Sequence, residues 1–276
     1  MARRPVTTRD DRFQQWQALL SNRTKRTRSG LFLIQGVRPI TLAVRHGMVL
    51  DTLLRPLGVR LSRWAADITA RCPDADVVEV APELLAELGG KDEPPELVAV
   101  ARQPPDDLSR LPTGTDLLVV VFDRAANPGN IGTLARSADG FGATGLVVTG
   151  HAADPYDPRA VRAATGSLCA LPVVRAEQRD VLAWADRLRA GGLPLRIVGT
   201  DEHGATDLDD TDLSGPTVLV VGNETVGLSQ AWRQSCDAMV RIPIGGSASS
   251  LNAAVAGSLV LYRAARCRAA RCRAAR

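Results

Sequence analysis

Three times in its second half the chain passes from a short apolar run, through a loop of glycines and small polar residues, into a helix-like segment. No other feature limits the possible folds so sharply. LLVVVF leads into DRAANPGNIGTLARSA (123–138), TVLVV into GNETVGLS (222–229), and AMVRIP into the stretch RIPIGGSASSLNAA (241–254). Apolar runs of this length, bounded by turn residues, read as buried strands of one parallel sheet. The three loops then share the carboxyl edge of that sheet, where open α/β folds bind ligands. Glycines at 129, 132, 222, 227, 245 and 246 allow close backbone approach, and helices starting just beyond aim their positive ends at a bound group. Among them stand Asn130, Arg136, Asn223, Glu224, Ser250 and Asn252, side chains able to orient a ligand. Asparagine, serine and glycine are also ordinary turn and cap residues, and that plainer reading stands beside the first.

A dinucleotide-binding fold fails on spacing. Its fingerprint needs GxGxxG straight after the first strand, with an acid closing the second. Here five residues separate Phe122 from Pro128, and GLVVTG ends without an acid.

Apolar and helix-like segments also alternate in the first half. FQQWQALL (13–20) is a short amphipathic helix, and GLFLIQ a strand entering a helix that begins at Gly36 and Arg38. MVLDTLLR, SRWAADITARC, DVVEV, PELLAELG and ELVAVAR then continue as strand, helix, strand, helix, strand. The pattern predicts an α/β unit over 13–103, preceded by flexible basic residues 1–12. Prolines at 104, 105 and 112 among acids mark a linker at 104–115. A second α/β unit covers 116–265, in which a strand ends at Thr200 on the same sheet edge, a candidate cofactor wall. RAARCRAARCRAAR leaves a basic low-complexity tail at 266–276, whose five-residue period matches no helical face.

Charge bears on the partner. The net value is only +4, yet the first 30 residues carry eight basic side chains against Asp10 and Asp11. From Arg263 onward six arginines stand with no acid, which leaves the body between at about −8. Basic ends on an acidic body suggest RNA-facing extensions. The segment SNRTKRTRSG (21–30) reads as a polar basic loop offering Arg23, Lys25, Arg26 and Arg28 to RNA, with Arg159, Arg162 and Ser167 as further substrate contacts. The five cysteines form no CxxC pair and no histidine stands at ligand spacing, so free thiols and no metal are expected. No apolar run approaches the roughly 20 residues of a membrane span, and the basic N-terminus has no apolar core behind it. A cytoplasmic address is the expectation.

NPGNIGTLARSA, GNETVGLS and IPIGGSASSLNAA together resemble, in order and separation, the three signature motifs of the SpoU (TrmH-type) branch of the SPOUT methyltransferases. GLFLIQGVRPITLAV likewise resembles the F-x-x-x-G-x-R opening of the substrate-binding domain in those enzymes, through Phe32, Gly36 and Arg38. The whole chain is most similar to actinomycete ribosomal RNA methyltransferases that confer antibiotic resistance, of the thiostrepton- and avilamycin-resistance kind. The resemblance implies an α/β fold with a parallel-sheet SPOUT domain tied in a deep trefoil knot, behind a smaller ribosomal-protein-like α/β domain. It also implies S-adenosylmethionine as cofactor, 23S ribosomal RNA as substrate, methylation of a ribose 2′-hydroxyl, and a homodimer with the site at its interface.

By the same resemblance Arg136 takes the catalytic position, completed by Asn130, Glu224, Ser250 and Asn252. Arginine holds its proton in proteins, so the preferred role is a fork that grips phosphate and steadies the developing alkoxide, rather than a base. Glu224 is expected to orient Arg136 or a loop amide, Asn130 and Asn252 to fix the crossing loops, and Ser250 to meet the target nucleotide. Thr200, Gly222, Asn223, Ile242 and Leu251 are the expected cofactor contacts, and Arg38 joins the RNA-binding set. A transfer RNA methyltransferase of the same family and a non-catalytic RNA-binding protein are the alternatives.

Overall fold

The chain divides into two units, Met1–Pro104 with Tyr156–Ala170, and Pro105–Pro155 with Leu171–Arg276. The computed structural model describes residues 4–90 and 92–274. In the first unit α1 (Asp11–Ser21) and α2 (Arg23–Ser29) precede β1 (Leu31–Gln35), α3 (Val37–Arg45), β2 (Leu50–Pro56), α4 (Arg63–Arg71), β3 (Asp76–Val80), α5 (Pro82–Gly89) and β4 (Val98–Arg102). The strands lie in the order β1-β4-β2-β3, with β4 antiparallel to both neighbours and β2 parallel to β3. Phe13 of α1 and Leu85 and Leu88 of α5 share a core with Leu33, Leu54 and Val98 from the sheet.

Two expectations for this unit need correction. Residues 4–12 are not a loose end. Val6 is buried and bridges Val80, its N–H donating to Glu79 O at 2.8 Å and its carbonyl accepting from Ala81 N at 2.9 Å, so it extends the open edge beside β3. Asp10 then caps α1 through Phe13 N at 3.0 Å; residues 1–3 lie outside the described residues. Segment 21–30 is a helix rather than a loop. Asn22 accepts from Lys25 N at 3.1 Å to start α2, and Gly30, at φ 66°, stops it. On its inner face Arg26 is 2% exposed, donating from Nη1 to Leu19 O at 2.8 Å and pairing through Nη2 with Asp157 at 3.5 Å. Arg26 is therefore an interior tie, because its fork satisfies a carbonyl and a carboxylate at once. Arg23, Lys25, Arg28, Arg38 and Arg162 are exposed.

The second unit opens with β5 (Leu118–Asp123), α6 (Pro128–Gly140) and β6 (Gly145–Thr149). The next two helices, α7 (Pro158–Ala164) and α8 (Ser167–Ala170), belong to the first unit, although 116–265 was expected to form one body. Local chemistry explains the excursion: the Tyr156 ring packs on Phe32 with centroids 4.7 Å apart, Asp157 meets Arg26, and α8 packs on α3. Burial pushes the Asp157 carboxyl up, but bonds from Arg159 and the charge of Arg26 outweigh it and hold the group below the usual carboxylate value. The chain then returns through β7 (Val173–Ala176), α9 (Gln178–Ala190), β8 (Arg196–Thr200), β9 (Thr206–Asp207), β10 (Thr217–Val221), α10 (Gln230–Ser235), β11 (Ala238–Arg241) and α11 (Ala253–Ala274).

Seven strands pair in the order β7-β6-β5-β10-β8-β11-β9, every pair parallel. Helices on both faces leave no strand side to water, so β5, β6 and β10 are buried at every residue. The expected linker at 104–115 is folded onto this unit: Leu111 is buried in its core, Arg110 donates to Val173 O at 3.0 Å, and Asp106 pairs with Arg175 at 2.7 Å. The low-complexity basic tail is helical, since α11 continues through it to Ala274, and residues 275–276 lie outside the described residues. Arg268 donates to the carbonyls of Asp116, Leu117 and Gly215 at 2.6, 2.9 and 2.6 Å, and Arg271 to Ser214 O at 3.1 Å. With Arg263, which bonds Asp209 O, these arginines fall within an arc of about 140° at the helical 100° per residue. The five-residue period hides a face.

Candidate active site

Four neighbouring strands, β5, β10, β8 and β11, end side by side, so the loops after Asp123, Val221, Thr200 and Arg241 meet at one edge. Asp123 starts the joinery. Its buried carboxylate accepts from Ser229 N at 2.9 Å, Arg124 Nε at 3.1 Å and Thr149 Oγ1 at 3.4 Å. Arg124, in the left-handed region at φ 52°, donates from Nη2 to Gly227 O at 2.9 Å, while its own carbonyl accepts from Asn223 Nδ2 at 2.7 Å. Asn223 Oδ1 accepts from the N–H groups of Thr225 and Val226 at 2.8 and 3.2 Å, which curls the second loop into a tight turn. Only glycine fits at 222, where a Cβ would stand 2.5 Å from Leu228 N. Beneath the loop after β8 a Cβ on Gly204 would stand 2.6 Å from the Val240 carbonyl carbon, so two backbones cross there almost in contact.

A chain of side chains joins the three loops that the sequence singled out. Asn130 Nδ2 donates to Glu224 Oε1 at 2.7 Å, and Asn252 Nδ2 donates to Asn130 Oδ1 at 3.2 Å. Glu224 Oε2 also accepts from Ala126 N at 3.4 Å; of its two expected partners the structure has the loop amide, not Arg136. Asn252 begins α11, its Oδ1 taking Ala254 N at 3.0 Å and Val255 N at 3.2 Å. Asn130 thus links the first turn of α6 to the first turn of α11. The helices also touch farther along, where Ser258 Oγ donates to Ser137 Oγ at 2.7 Å.

Beside this strut lies a cleft of about 430 Å³. Thr200, Gly222, Asn223, Ile242 and Leu251, the five residues expected at a cofactor, all border it, together with Glu224 and Ser250. Val221, Val240, Ile244 and Ala256 supply apolar wall. Asn130, Asn252 and Arg136 do not line it. Arg136 is exposed on α6, six residues beyond Asn130, which is about 9 Å along the helix and 120° around it. The RNA candidates Arg23, Lys25, Arg28, Arg38 and Arg162 all fall in the other unit.

Sequence reasoning passed over Asp201 and Arg233, which also border the cleft and form an ion pair. Nothing in the local pattern marks them. Asp123 carried a fainter sign, as an acid ending an otherwise apolar run. Cys236 does not border the cleft, and burial first and Asp237 second push its thiol up to about 12. Among the described residues no group of three or more His, Cys, Asp or Glu could hold a metal, and no helix is long and apolar enough to cross a membrane.

Known proteins share the fold and much of the sequence. The 23S rRNA (uridine(2479)-2′-O)-methyltransferase of Streptomyces viridochromogenes is 55% identical over 267 residues, covering 96% of this chain and 93% of that one. The crystal structure of the SpoU methyltransferase AviRb from Streptomyces viridochromogenes, in complex with the cofactor AdoMet, superposes with a TM-score of 0.89 over 95% of this chain and 99% of that one, at 55% identity. An AdoMet-bound rRNA methyltransferase from Sinorhizobium meliloti gives a TM-score of 0.84 at 28% identity, over 95% and 97% of the two chains. The SpoU L30e-like domain matches residues 10–99, within the first unit, and the SpoU rRNA Methylase family matches residues 117–262, the stretch that holds all three joined loops. With that family matched over 117–262 and a relative 55% identical along nearly the whole chain, the chain is a member of the SpoU rRNA Methylase family.

Proposed function

We propose that the chain methylates a ribose 2′-hydroxyl in 23S ribosomal RNA, with S-adenosylmethionine as methyl donor, working in the cytoplasm as a homodimer. One observation carries the reading: the Glu224–Asn130–Asn252 strut stands beside a cleft bordered by Thr200, Gly222, Asn223, Ile242 and Leu251. The Streptomyces viridochromogenes relative, named for 2′-O-methylation of a 23S rRNA uridine, supports the substrate.

When bound, S-adenosylmethionine supplies a methyl carbon on a sulfonium, already a good leaving group. The transfer it would allow forms a bond from the hydroxyl oxygen to that carbon as the sulfur–carbon bond breaks to a neutral thioether, with the hydroxyl proton passing to water. What remains for the protein is mostly positioning, which can contribute on the order of 7–11 kcal/mol. Apolar walls at Val221, Val240 and Ile242 take the adenosine part and exclude water, while the loop backbone at Gly222 and Leu251 holds its polar edge. Ser250 meets the target nucleotide, and Arg136 grips phosphate and steadies the alkoxide as it forms.

Arg136 stands apart from the cleft of its own chain, and this observation favours the dimer. Val255, Leu259 and Tyr262, spaced four and three along α11, leave an exposed apolar stripe on the helix that packs against α6. A second copy seated on that stripe covers it and carries its Arg136 toward the neighbour's cleft.

Incubation of the protein with tritiated S-adenosylmethionine and, in parallel, protein-free large-subunit RNA, transfer RNA and intact ribosomes tests the proposal. Label in large-subunit RNA, mapped to an alkali-resistant 2′-O-methyl ribose, is expected. Label in transfer RNA alone would overturn the substrate, and no label in any arm the activity. A resistance role follows the same resemblance; its test is the inhibitory concentration of ribosome-directed antibiotics for a susceptible host with and without the chain.

A further inference from the structure

The cleft is acidic except at one point. Asp201, Glu202 and Glu224 border it, and Arg233 is the one cationic side chain on its wall among the described residues. Glu224 is committed to Asn130 and Ala126 N. Arg233 is held from below: its helix α10 is anchored by Trp232, which is fully buried with Nε1 donating to Thr149 Oγ1 at 3.4 Å. Two of its three guanidinium nitrogens are engaged. Nε donates to Leu228 O at 3.3 Å, and Nη1 pairs with Asp201, whose carboxylate is 6% exposed and also accepts His203 N at 2.8 Å. Nη2 carries no bond among the described residues and stands 3.3 Å from where a Cβ on Gly227 would be, on the cleft wall. The Arg233 side chain is 45% exposed. A guanidinium locked on two nitrogens and open on the third is prepared for an anion, with little conformational entropy left to lose.

We infer that Arg233, oriented by Asp201, is the anchor for the carboxylate of the cofactor's methionine part. The inference rests on the proposed function, since S-adenosylmethionine is the molecule that the cleft is taken to hold. Its charges fit the wall. The molecule bears a sulfonium and an ammonium, which an acidic cleft favours, and one carboxylate, which that cleft repels everywhere except at Arg233. Asp201 has a double part: it fixes the guanidinium plane and ties the loop after β8 to α10, so the anchor sits at a set depth. A lysine in place of Arg233 keeps the charge but not the fork.

Calorimetric titration of the full chain with S-adenosylhomocysteine and with 5′-methylthioadenosine, which lacks the amino-acid part, separates anchoring from mere shaping of the cleft. Losing one charge-assisted bond in Arg233→Ala is expected to weaken S-adenosylhomocysteine binding roughly 10- to 100-fold. 5′-Methylthioadenosine binding should stay within about twofold, which also reports that the variant is folded, and Arg233→Lys should recover part of the loss. An equal loss for both ligands would make Arg233 a structural residue, and an unchanged S-adenosylhomocysteine affinity would remove it from the site; either result overturns the inference. Failure of the parent protein to bind either ligand is a separate result, which would bring down the proposed function itself.

Discussion

Asn252 does two jobs with two atoms, and one substitution can divide them. Its Oδ1 caps α11 through Ala254 N and Val255 N, while its Nδ2 closes the strut to Asn130. Asn252→Ala removes both. A lost cap costs about 0.5–2 kcal/mol and a lost hydrogen bond about 0.5–1.5 kcal/mol. The thermal transition of the second unit should fall by roughly 3–10 °C on the scale for a domain of its size. Asn252→Asp keeps the acceptor, and its charge at a helix start is favourable by about 0.3–1 kcal/mol, so stability should be nearly parental. The new carboxylate then faces Asn130 Oδ1, an acceptor against an acceptor where a bond of 3.2 Å stood. Asn130 has to retreat, Glu224 follows, and the loops part; a misplacement of about 1 Å can cost roughly 10²-fold in rate. Circular dichroism melting and single-turnover methylation measure the two effects separately. A parental rate in the Asn252→Asp variant would refute the strut, and a stability as low as that of Asn252→Ala would refute the cap.

Arg136→Ala is expected to leave S-adenosylhomocysteine affinity largely intact, because the proposed partner of the guanidinium is the RNA phosphate and the forming alkoxide rather than the cofactor, and to lower single-turnover methylation by roughly 10²–10⁴-fold, the contribution of one positioned catalytic group. Arg26→Ala removes the donor to Leu19 O and leaves Asp157 with Arg159 as its remaining arginine, and should destabilise the first unit by about 1–3 kcal/mol in urea unfolding, whereas Arg28→Ala should leave stability within about 0.5 kcal/mol and lower the salt slope of RNA binding by roughly 0.7–0.9, the share of one phosphate contact. Cys169 and Cys236, whose thiols burial raises from 9.0 to about 12, should escape iodoacetamide at pH 8 while exposed Cys272 reacts, as peptide mass spectrometry can read. Since the neutral thiols are the forms that the fold favours, their contribution is whole below pH 9.0 and is lost as pH rises toward 12; melting temperature should decline over that window and less so in the Cys236→Ala variant.

What could be read from the chain, and what could not, divides along a physical line. Strands buried on both faces must be apolar without interruption, so LVVVFD, GLVVT and TVLVV announce themselves, and a glycine that touches another backbone, as at 222, cannot be anything else. Three loops of that kind at the ends of parallel strands can meet only at one edge, which is why Asn130, Glu224 and Asn252 could be named together before their bonds were seen. The misread residues share a different trait: their partners are far away in sequence or carry no signature. Arg26 looks like any basic surface residue until Asp157, 131 positions on, is brought beneath it. Arg263, Arg268 and Arg271 bond to backbone carbonyls, which every residue owns, so their repeat read as a low-complexity extension facing RNA. Arg233 and Asp201 belong to the same group, for their pairing depends on the loop after β8 lying beside α10, and only the sheet order β10-β8-β11 makes them neighbours. A charge whose partner is supplied by topology therefore has to be sought in the folded molecule, and it is there that the guanidinium of Arg233 on the cleft wall becomes visible.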